Sequence, residues 1–199
     1  IAPGVESSWF EVERKPSSSP TLLFWGRIEE EKGLPELLYA LKTVSEVIKD
    51  IKLTVVGEGS RLEDYKSLAT ELFLTDLIEF TGWLSSSQIQ SRIPEISLGV
   101  FPSRIESFGL SVIESMAAGL PVIASTGGAV PENIEESMTG TLVPVNDVQA
   151  LAREIISLLR DPKHAESMAK SAKKRVQEKF NWDKAANKTV DLYNLFAGT

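Results

Sequence analysis

Residues Thr21-Leu22-Leu23-Phe24-Trp25 form an apolar run that ends at Gly26. A run this short, without alternation of polar and apolar residues, predicts a strand that is buried on both faces of a sheet. From Gly33 to Lys49, leucine, valine and isoleucine recur every three or four residues, which predicts a helix. This part of the chain therefore indicates a buried strand followed by a helix that crosses back over the sheet.

The same alternation of short apolar runs and amphipathic stretches continues along the 199 residues. Strands are predicted over residues 21–25, 51–56, 78–81, 96–101, 121–124 and 141–143. Helices are predicted over residues 33–49, 61–72, 85–93, 109–118, 148–159, 163–179 and 182–196. This pattern is typical of a parallel sheet with helices on both faces. We therefore predict an α/β, Rossmann-like, doubly wound six-stranded sheet in the order 3-2-1-4-5-6.

Composition excludes several classes of protein. The chain has no cysteine, which excludes disulfides, thiol catalysis and thiolate metal sites. His164 is the single histidine and lies in a charged helical stretch without a triad motif, so we interpret it as solvated. The formal net charge of −7 argues against non-specific binding of nucleic acid, and we expect no nucleic-acid partner. No apolar run approaches the ~18–20 residues of a membrane-spanning helix.

The predicted strand order makes strands 1 and 4 neighbours, and ligands bind beyond the carboxyl ends of such strands. Gly26-Arg27 and Lys32-Gly33 place two cations after the first strand. After the fourth strand, residues 102–109 lead into a helix, whose N-terminal N–H groups favour an anion. These features fit a diphosphate clamp. The open alternative is that Arg27 and Lys32 are surface charges paired with residues 29–31.

Two carboxylates follow the same fourth strand. Glu106 lies in the loop and Glu114 lies within the first two turns of the next helix. A carboxylate accepts two hydrogen bonds and matches the vicinal diol of a ribose or a sugar ring. For Glu114 the alternative is an ordinary residue on a helix surface.

The glycine motifs are less specific. The first strand-to-helix turn lacks the pattern G-x-G-x-x-G, which counts against a nicotinamide-dependent oxidoreductase. Val56-Gly57-Glu58-Gly59 carries Gly-x-Gly without the third glycine, which favours a tight turn. Gly127-Gly128 indicates either a turn or a place where the backbone approaches a ligand.

Taken in order and spacing, these segments resemble the C-terminal, donor-binding domain of GT-B glycosyltransferases, in the group-one set centred on glycosyltransferase family four. The resemblance extends from about Ile1 to Leu195. It rests on Gly26-Arg27 with Lys32-Gly33, Val56 to Gly59, Pro102-Ser103, Glu106 to Gly109, Glu114 to Ala124, Gly127-Gly128 and Glu132. Glu106 and Glu114, with seven residues between them, reproduce the paired-glutamate motif of the family.

The resemblance implies a retaining transfer, of hexosyltransferase type, from a nucleotide diphosphate sugar to an acceptor. Arg27 and Lys32 would bind the diphosphate and stabilise the leaving group. Glu106 would contact the donor sugar, Glu114 would hold the ribose diol, and the backbone near Leu84 would meet the nucleobase. The expected catalytic residues are thus Glu106, Arg27 and Lys32. The other expected donor-binding residues are Gly26, Leu84, Ser103, Phe108, Gly109, Leu110 and Glu114. There is no Asp-x-Asp dyad, so we expect neither a metal nor another cofactor.

The resemblance further implies that an N-terminal acceptor domain is missing. We expect residues 1–20 to be the linker from it, residues 21–180 to form the nucleotide-sugar-binding domain, and residues 181–199 to form a helix that packs back toward the missing half. The isolated domain would be inactive. The protein would be cytoplasmic, with membrane association only through the missing half. The alternatives are a nucleotide-sugar epimerase of GT-B type, an inverting transferase, or a non-catalytic nucleotide-sugar-binding module.

Overall fold

A computed structural model describes residues 4–14, 19–180 and 182–197. Its centre is one sheet of six parallel strands in the order β3-β2-β1-β4-β5-β6. The strands are β1 (Thr21–Trp25), β2 (Lys52–Val56), β3 (Ile78–Gly82), β4 (Leu98–Phe101), β5 (Val122–Ser125) and β6 (Thr141–Val143). The predicted fold class and strand order are confirmed.

The described helices cover both faces of the sheet. They are α1 (Leu34–Val47), α2 (Leu62–Glu71), α3 (Ser86–Arg92), α4 (Leu110–Ala117), α5 (Val130–Asn133), α6 (Val148–Arg160), α7 (Pro162–Lys179) and α8 (Trp182–Ala197). Seven of them were predicted to within two residues at each end. The single-turn helix α5 was not predicted, because four residues are too few to show a helical period.

Alternate residues of β1 belong to different hydrophobic clusters, which explains why its apolar run is continuous. Leu22 and Phe24 pack in a cluster with α1 and α6. Leu23 and Trp25 pack in a second cluster, with α4 and α7. A strand that is buried on both sides requires an apolar residue at every position.

The described N-terminal residues pack on this second cluster. Trp9, in a 3₁₀ turn at Ser7–Glu11, is buried and stacks on Trp25 with ring centroids 5.9 Å apart and an interplanar angle of 3°. Arg14 donates from Nη1 to the Gly119 carbonyl at 2.9 Å and from Nη2 to the Ile96 carbonyl at 2.8 Å. Part of the segment predicted as a linker therefore packs against the domain, and the boundary at residue 20 stays a prediction.

The loops after β1 and β4 approach each other at Gly33. This residue precedes α1 with a φ of 71°, and a Cβ on it would lie 2.0 Å from the Pro102 carbonyl oxygen. Only glycine adopts this conformation readily and leaves room for the neighbouring backbone. The glycine thus allows the two loops to meet.

We expect Gly33→Ala to lower the free energy of unfolding by about 3 kcal/mol or more, since it adds a backbone clash to the ~1–2 kcal/mol of a left-handed alanine. Gly119→Ala is the matched control, because Gly119 has a φ of 72° and its nearest neighbour, Lys173 Cδ, would lie 3.7 Å from the new Cβ. Urea unfolding of both variants measures the difference. Equal losses would contradict the close approach of the loops.

Candidate functional site

The loops after β1 and β4 lie side by side at the C-terminal ends of the strands, because these two strands are parallel neighbours in the sheet. Between the two loops, Lys32 Nζ donates to Glu106 Oε2 at 2.6 Å. The two side chains are 17% and 14% exposed, so the ion pair is largely shielded from water. Lys32 is therefore paired with a carboxylate of the opposite loop, and the alternative of a surface pair with residues 29–31 is wrong for this lysine.

Arg27 lies differently. Its side chain is 71% exposed, and its Nη2 lies 2.9 Å from Glu31 Oε1. Arg27 thus makes the surface ion pair that the alternative expects, and its role toward a diphosphate stays a prediction. An exposed pair of this kind contributes about 0–1 kcal/mol, so an anion of higher charge could displace Glu31 at little cost.

Arg104 has a role that the sequence analysis missed. Its Nε and Nη2 donate to Glu36 Oε1 at 3.0 and 2.6 Å, and its Nη1 donates to Glu30 Oε1 at 2.8 Å. Its backbone N–H also donates to the Glu31 carbonyl at 2.7 Å. The hydrogen bond to Glu36 raises the pKa of Arg104 above its usual value. A cation after β4 opposite an acidic run after β1 was the signal that could have found this contact.

The other side of the β4–α4 loop is held by the last residue of β5 and the segment that follows it. Ser125 Oγ donates to the Ser103 carbonyl, the Ala129 N–H donates to the Glu106 carbonyl at 2.9 Å, and Asn133 Nδ2 donates to the Phe108 carbonyl. These three ties orient the loop backbone. Because Asn133 lies in the unpredicted helix α5, its contact was not expected.

Gly127-Gly128 belongs to the same arrangement. Gly128 has a φ of 65°, and a Cβ on it would lie 2.1 Å from the Glu106 carbonyl oxygen. The close approach at this glycine pair is to the β4–α4 loop. Val56 to Gly59 forms the expected tight turn, in which a Cβ on Gly57 would lie 1.9 Å from the Gly26 carbonyl oxygen.

Helix α4 begins at this loop. Gly109 precedes it with a φ of 84° and provides no side-chain cap for the first-turn N–H groups. Phe108 packs edge-on against Phe180, with ring centroids 5.8 Å apart, while Leu110 is exposed. An uncapped helix N-terminus presents N–H donors and the positive end of the helix dipole, which favour an anion.

Glu114 lies one turn further along α4 and is not an ordinary surface residue. The pKa of its carboxyl is raised to about 7, chiefly by burial; the charge of Glu6 adds to the rise, and a hydrogen bond from the Trp25 side chain partly offsets it. The carboxyl is thus about half protonated near neutral pH. A carboxyl whose pKa is shifted this far, in the helix that follows the β4–α4 loop, is a candidate functional residue.

The remaining expected site residues also follow strand ends. Ser103 is buried after β4. Gly26 directly follows β1, and a Cβ on it would have no atom within 4 Å, so the space beside it is open. Leu84 follows β3, packs on the second hydrophobic cluster and is separated from the Lys32–Glu106 pair by the width of β2. The expected residues therefore line one edge of the sheet, at the ends of β1, β3 and β4.

Two further findings concern the described residues alone. In residues 4–14, 19–180 and 182–197, no helix is long and apolar enough to cross a membrane. Within the same part of the chain, no group of three or more histidine, aspartate or glutamate side chains is arranged to hold a metal ion.

Because the pKa of Glu114 is raised from 4.5 to about 7, the folded chain binds more protons than the unfolded chain between these pH values. The stability that neutral Glu114 contributes is complete below about pH 4.5 and is lost as the pH rises to about 7. Glu114→Gln, which stays neutral, should therefore gain about 3 kcal/mol in free energy of unfolding relative to wild type between pH 4.5 and pH 8, since one pKa unit corresponds to about 1.4 kcal/mol. Urea unfolding at both pH values measures this. A difference that is independent of pH would contradict the raised pKa.

Comparisons with known proteins agree with the geometry. The family described as glycosyl transferases group 1 matches residues 5–175. Glycogen synthase of Mycobacterium tuberculosis is 30% identical over 195 residues, which cover 97% of this chain and 47% of that protein. These matches confirm the resemblance stated from the motifs.

Solved structures extend the comparison. Sucrose-phosphate synthase from Thermosynechococcus elongatus superposes with a TM-score of 0.88 at 31% identity, covering 99% of this chain and 52% of that one. HepE of Anabaena, in complex with UDP-glucose, gives a TM-score of 0.86 at 20% identity and covers 96% of this chain and 56% of that one, which shows the fold alone. The chain spans about half the length of these proteins. It belongs to the group 1 glycosyltransferases.

Proposed function

We propose that this chain is the donor-binding domain of a retaining glycosyltransferase, which moves a sugar from a nucleoside diphosphate sugar to an acceptor. The observation that carries the proposal is the Lys32–Glu106 pair beside the uncapped N-terminus of α4. Membership of the family supports it, as does the UDP-glucose bound by HepE, which has the same fold. Because the chain spans half of its relatives, the acceptor and the whole reaction belong to this proposal as well.

The diphosphate would compete with carboxylates for its cations. Lys32 would leave Glu106 for a phosphate oxygen, since a diphosphate offers more negative charge than one carboxylate. Glu106 would then be free to accept hydrogen bonds from donor-sugar hydroxyls. Arg27 would exchange its exposed pair with Glu31 for the phosphate. Binding of the diphosphate would in this way prepare the sugar site.

In the transfer, the bond between the anomeric carbon and the phosphate oxygen would break, and its electron pair would remain on the leaving diphosphate. A hydroxyl oxygen of the acceptor would form the new bond to the anomeric carbon, and its proton would pass to the released diphosphate or to water. Lys32, Arg27 and the N–H groups of Phe108-Gly109-Leu110 would stabilise the negative charge that develops on the diphosphate. With these donors in place, we expect the reaction to need no metal.

The nucleoside would lie toward the other strand ends. Glu114 would accept hydrogen bonds from the ribose hydroxyls in its ionised form. The backbone near Leu84 would contact the base. The open space beside Gly26 would leave room for the nucleoside between Glu114 and Leu84. Ser103, which is buried, would contribute through the backbone of its loop.

We expect the chain to bind UDP, GDP or ADP at millimolar concentration or better, measured by titration calorimetry. Lys32→Ala should lower the affinity for the nucleoside diphosphate by about one to two orders of magnitude, because a hydrogen bond to a charged group contributes ~1.5–3 kcal/mol. The matched control is Lys66→Ala, which removes an exposed lysine paired with Glu63 on α2. Equal losses for nucleoside and nucleotide would mean that Lys32 does not contact phosphate, and no binding of any of the three would refute the donor site.

The two glutamates should report on different parts of the donor. Glu114→Gln should weaken UDP and the nucleotide sugar alike, by about tenfold or more. Glu106→Gln should leave UDP unchanged or slightly tighter, since Lys32 loses its competing carboxylate, while it weakens the nucleotide sugar. Calorimetry with both ligands on both variants makes the comparison. If Glu106→Gln weakened UDP as much as Glu114→Gln did, Glu106 would be a structural partner of Lys32 and not a sugar ligand.

A further inference from the structure

The ion pair between Arg104, which is 31% exposed, and Glu36, which is buried, lies beside the Lys32–Glu106 pair and joins the same two segments of chain. Glu36 is in the first turn of α1, four residues after Lys32, and Arg104 precedes Glu106 by two residues. We propose that Arg104 and Glu36 are positioning residues, which hold Lys32 and Glu106 at the separation that the diphosphate requires. This inference rests on the proposed donor site.

The contacts make this tie short and directional. Two guanidinium nitrogens of Arg104 converge on one oxygen of Glu36, at 3.0 and 2.6 Å, and the Arg104 N–H reaches the Glu31 carbonyl at 2.7 Å. The side chain and the backbone of Arg104 thus both bind the segment that carries Lys32. A shift of either loop that changed the Lys32–Glu106 distance would also stretch these bonds.

Stability alone does not account for the pair. Glu36 is 8% exposed, and its second oxygen, Oε2, is buried without a hydrogen-bond partner among the described residues. Removal of charges from water costs free energy that their attraction only partly returns, and apolar residues of similar volume are often as stable. The buried Oε2 of Glu36 therefore carries a desolvation cost, and a positioning role, which sets the relative place of two loops, accounts for a carboxylate there.

Glu30 provides an internal comparison. Its Oε1 accepts from Nη1 of the same guanidinium at 2.8 Å, but its side chain is 69% exposed. Glu30 and Glu36 thus carry the same charge, bind the same arginine and lie on the same segment. They differ in burial, and an exposed ion pair constrains its neighbours little.

This comparison separates positioning from simple attraction. Removal of either glutamate makes the region between the loops after β1 and β4 more positive by one charge, so attraction alone would tighten the binding of an anion. Loss of a positioning contact would weaken binding in spite of the gained charge. For removal of Glu36, the two explanations therefore predict changes of opposite sign in the affinity for an anion. For removal of Glu30, they predict a change of the same sign.

The test is calorimetric titration of UDP into wild type, Glu36→Met and Glu30→Met, with uridine as the ligand that lacks phosphate. We expect Glu36→Met to weaken UDP about tenfold, as small misplacements of binding groups do, and to leave uridine unchanged. Glu30→Met should bind UDP as wild type does or more tightly. Glu36→Met that binds UDP as tightly as Glu30→Met would overturn the positioning role. Wild type that bound no UDP would instead overturn the donor site and this inference with it.

Because Glu36→Met leaves Arg104 without its buried partner, two further variants keep the test valid if that chain fails to fold. Glu36→Gln retains one acceptor for the guanidinium, and the double variant Arg104→Met with Glu36→Met replaces the pair by apolar side chains. We expect the double variant to melt near the wild-type temperature and yet bind UDP about tenfold more weakly. We expect Glu36→Gln to weaken UDP less than the double variant does. A double variant that bound UDP like wild type would overturn the proposal.

Discussion

The ion pair between Lys32 and Glu106 joins residues that are 74 positions apart in the sequence, and much of the surrounding structure serves to bring them together. The parallel pairing of β1 with β4 places their loops side by side. Gly33 then lets the first loop approach the Pro102 carbonyl, and Gly128 lets the β5–α5 segment approach the Glu106 carbonyl. A side chain at either glycine would push apart the backbones that bring these two charges within hydrogen-bonding distance.

The loop that carries Glu106 is held from both sides but by different chemistry. On one side, Arg104 and Glu106 of this loop make charged contacts with Glu36 and Lys32, which follow β1. On the other side, Ala129 and Asn133 donate neutral hydrogen bonds to its carbonyl groups. The neutral contacts occupy carbonyl oxygens, which would repel a phosphate, while the charged side holds the cation that would bind one. The loop therefore makes charged contacts on the side of β1 and neutral contacts on the side of β5.

The sequence predicted the framework of the fold because strands, helices and crossovers leave local patterns. The continuous apolar run of β1 and the period of α1 could both be read directly. The partners of individual charges could not be read in this way. Arg27 pairs with its near neighbour Glu31, whereas Lys32, five residues away, pairs across the sheet. The local sequence does not distinguish the environment of Arg27 from that of Lys32, because both environments depend on how the loops pack.

The same limit explains the other omissions. Asn133 lies in a helix of one turn, and its role depends on a carbonyl 25 residues earlier in the chain. Trp9 lies among prolines and serines that indicate a lead-in, yet it stacks on Trp25 because the face of β1 near α4 has room for a second indole ring. The site residues named from the motifs lie along the expected edge, but the residues that hold them in place were found only in three dimensions.

The raised pKa of Glu114 has a practical consequence for any calorimetric study of this chain. Near pH 7 the carboxyl carries a proton on about half of the molecules. A ligand that selects the ionised form drives that proton into the buffer, and the observed heat then includes the buffer's own enthalpy of ionisation. Titrations in PIPES and in Tris, neither of which is a phosphate, would differ in apparent enthalpy while agreeing in affinity, and the slope of apparent enthalpy against buffer ionisation enthalpy would give the fraction of a proton released.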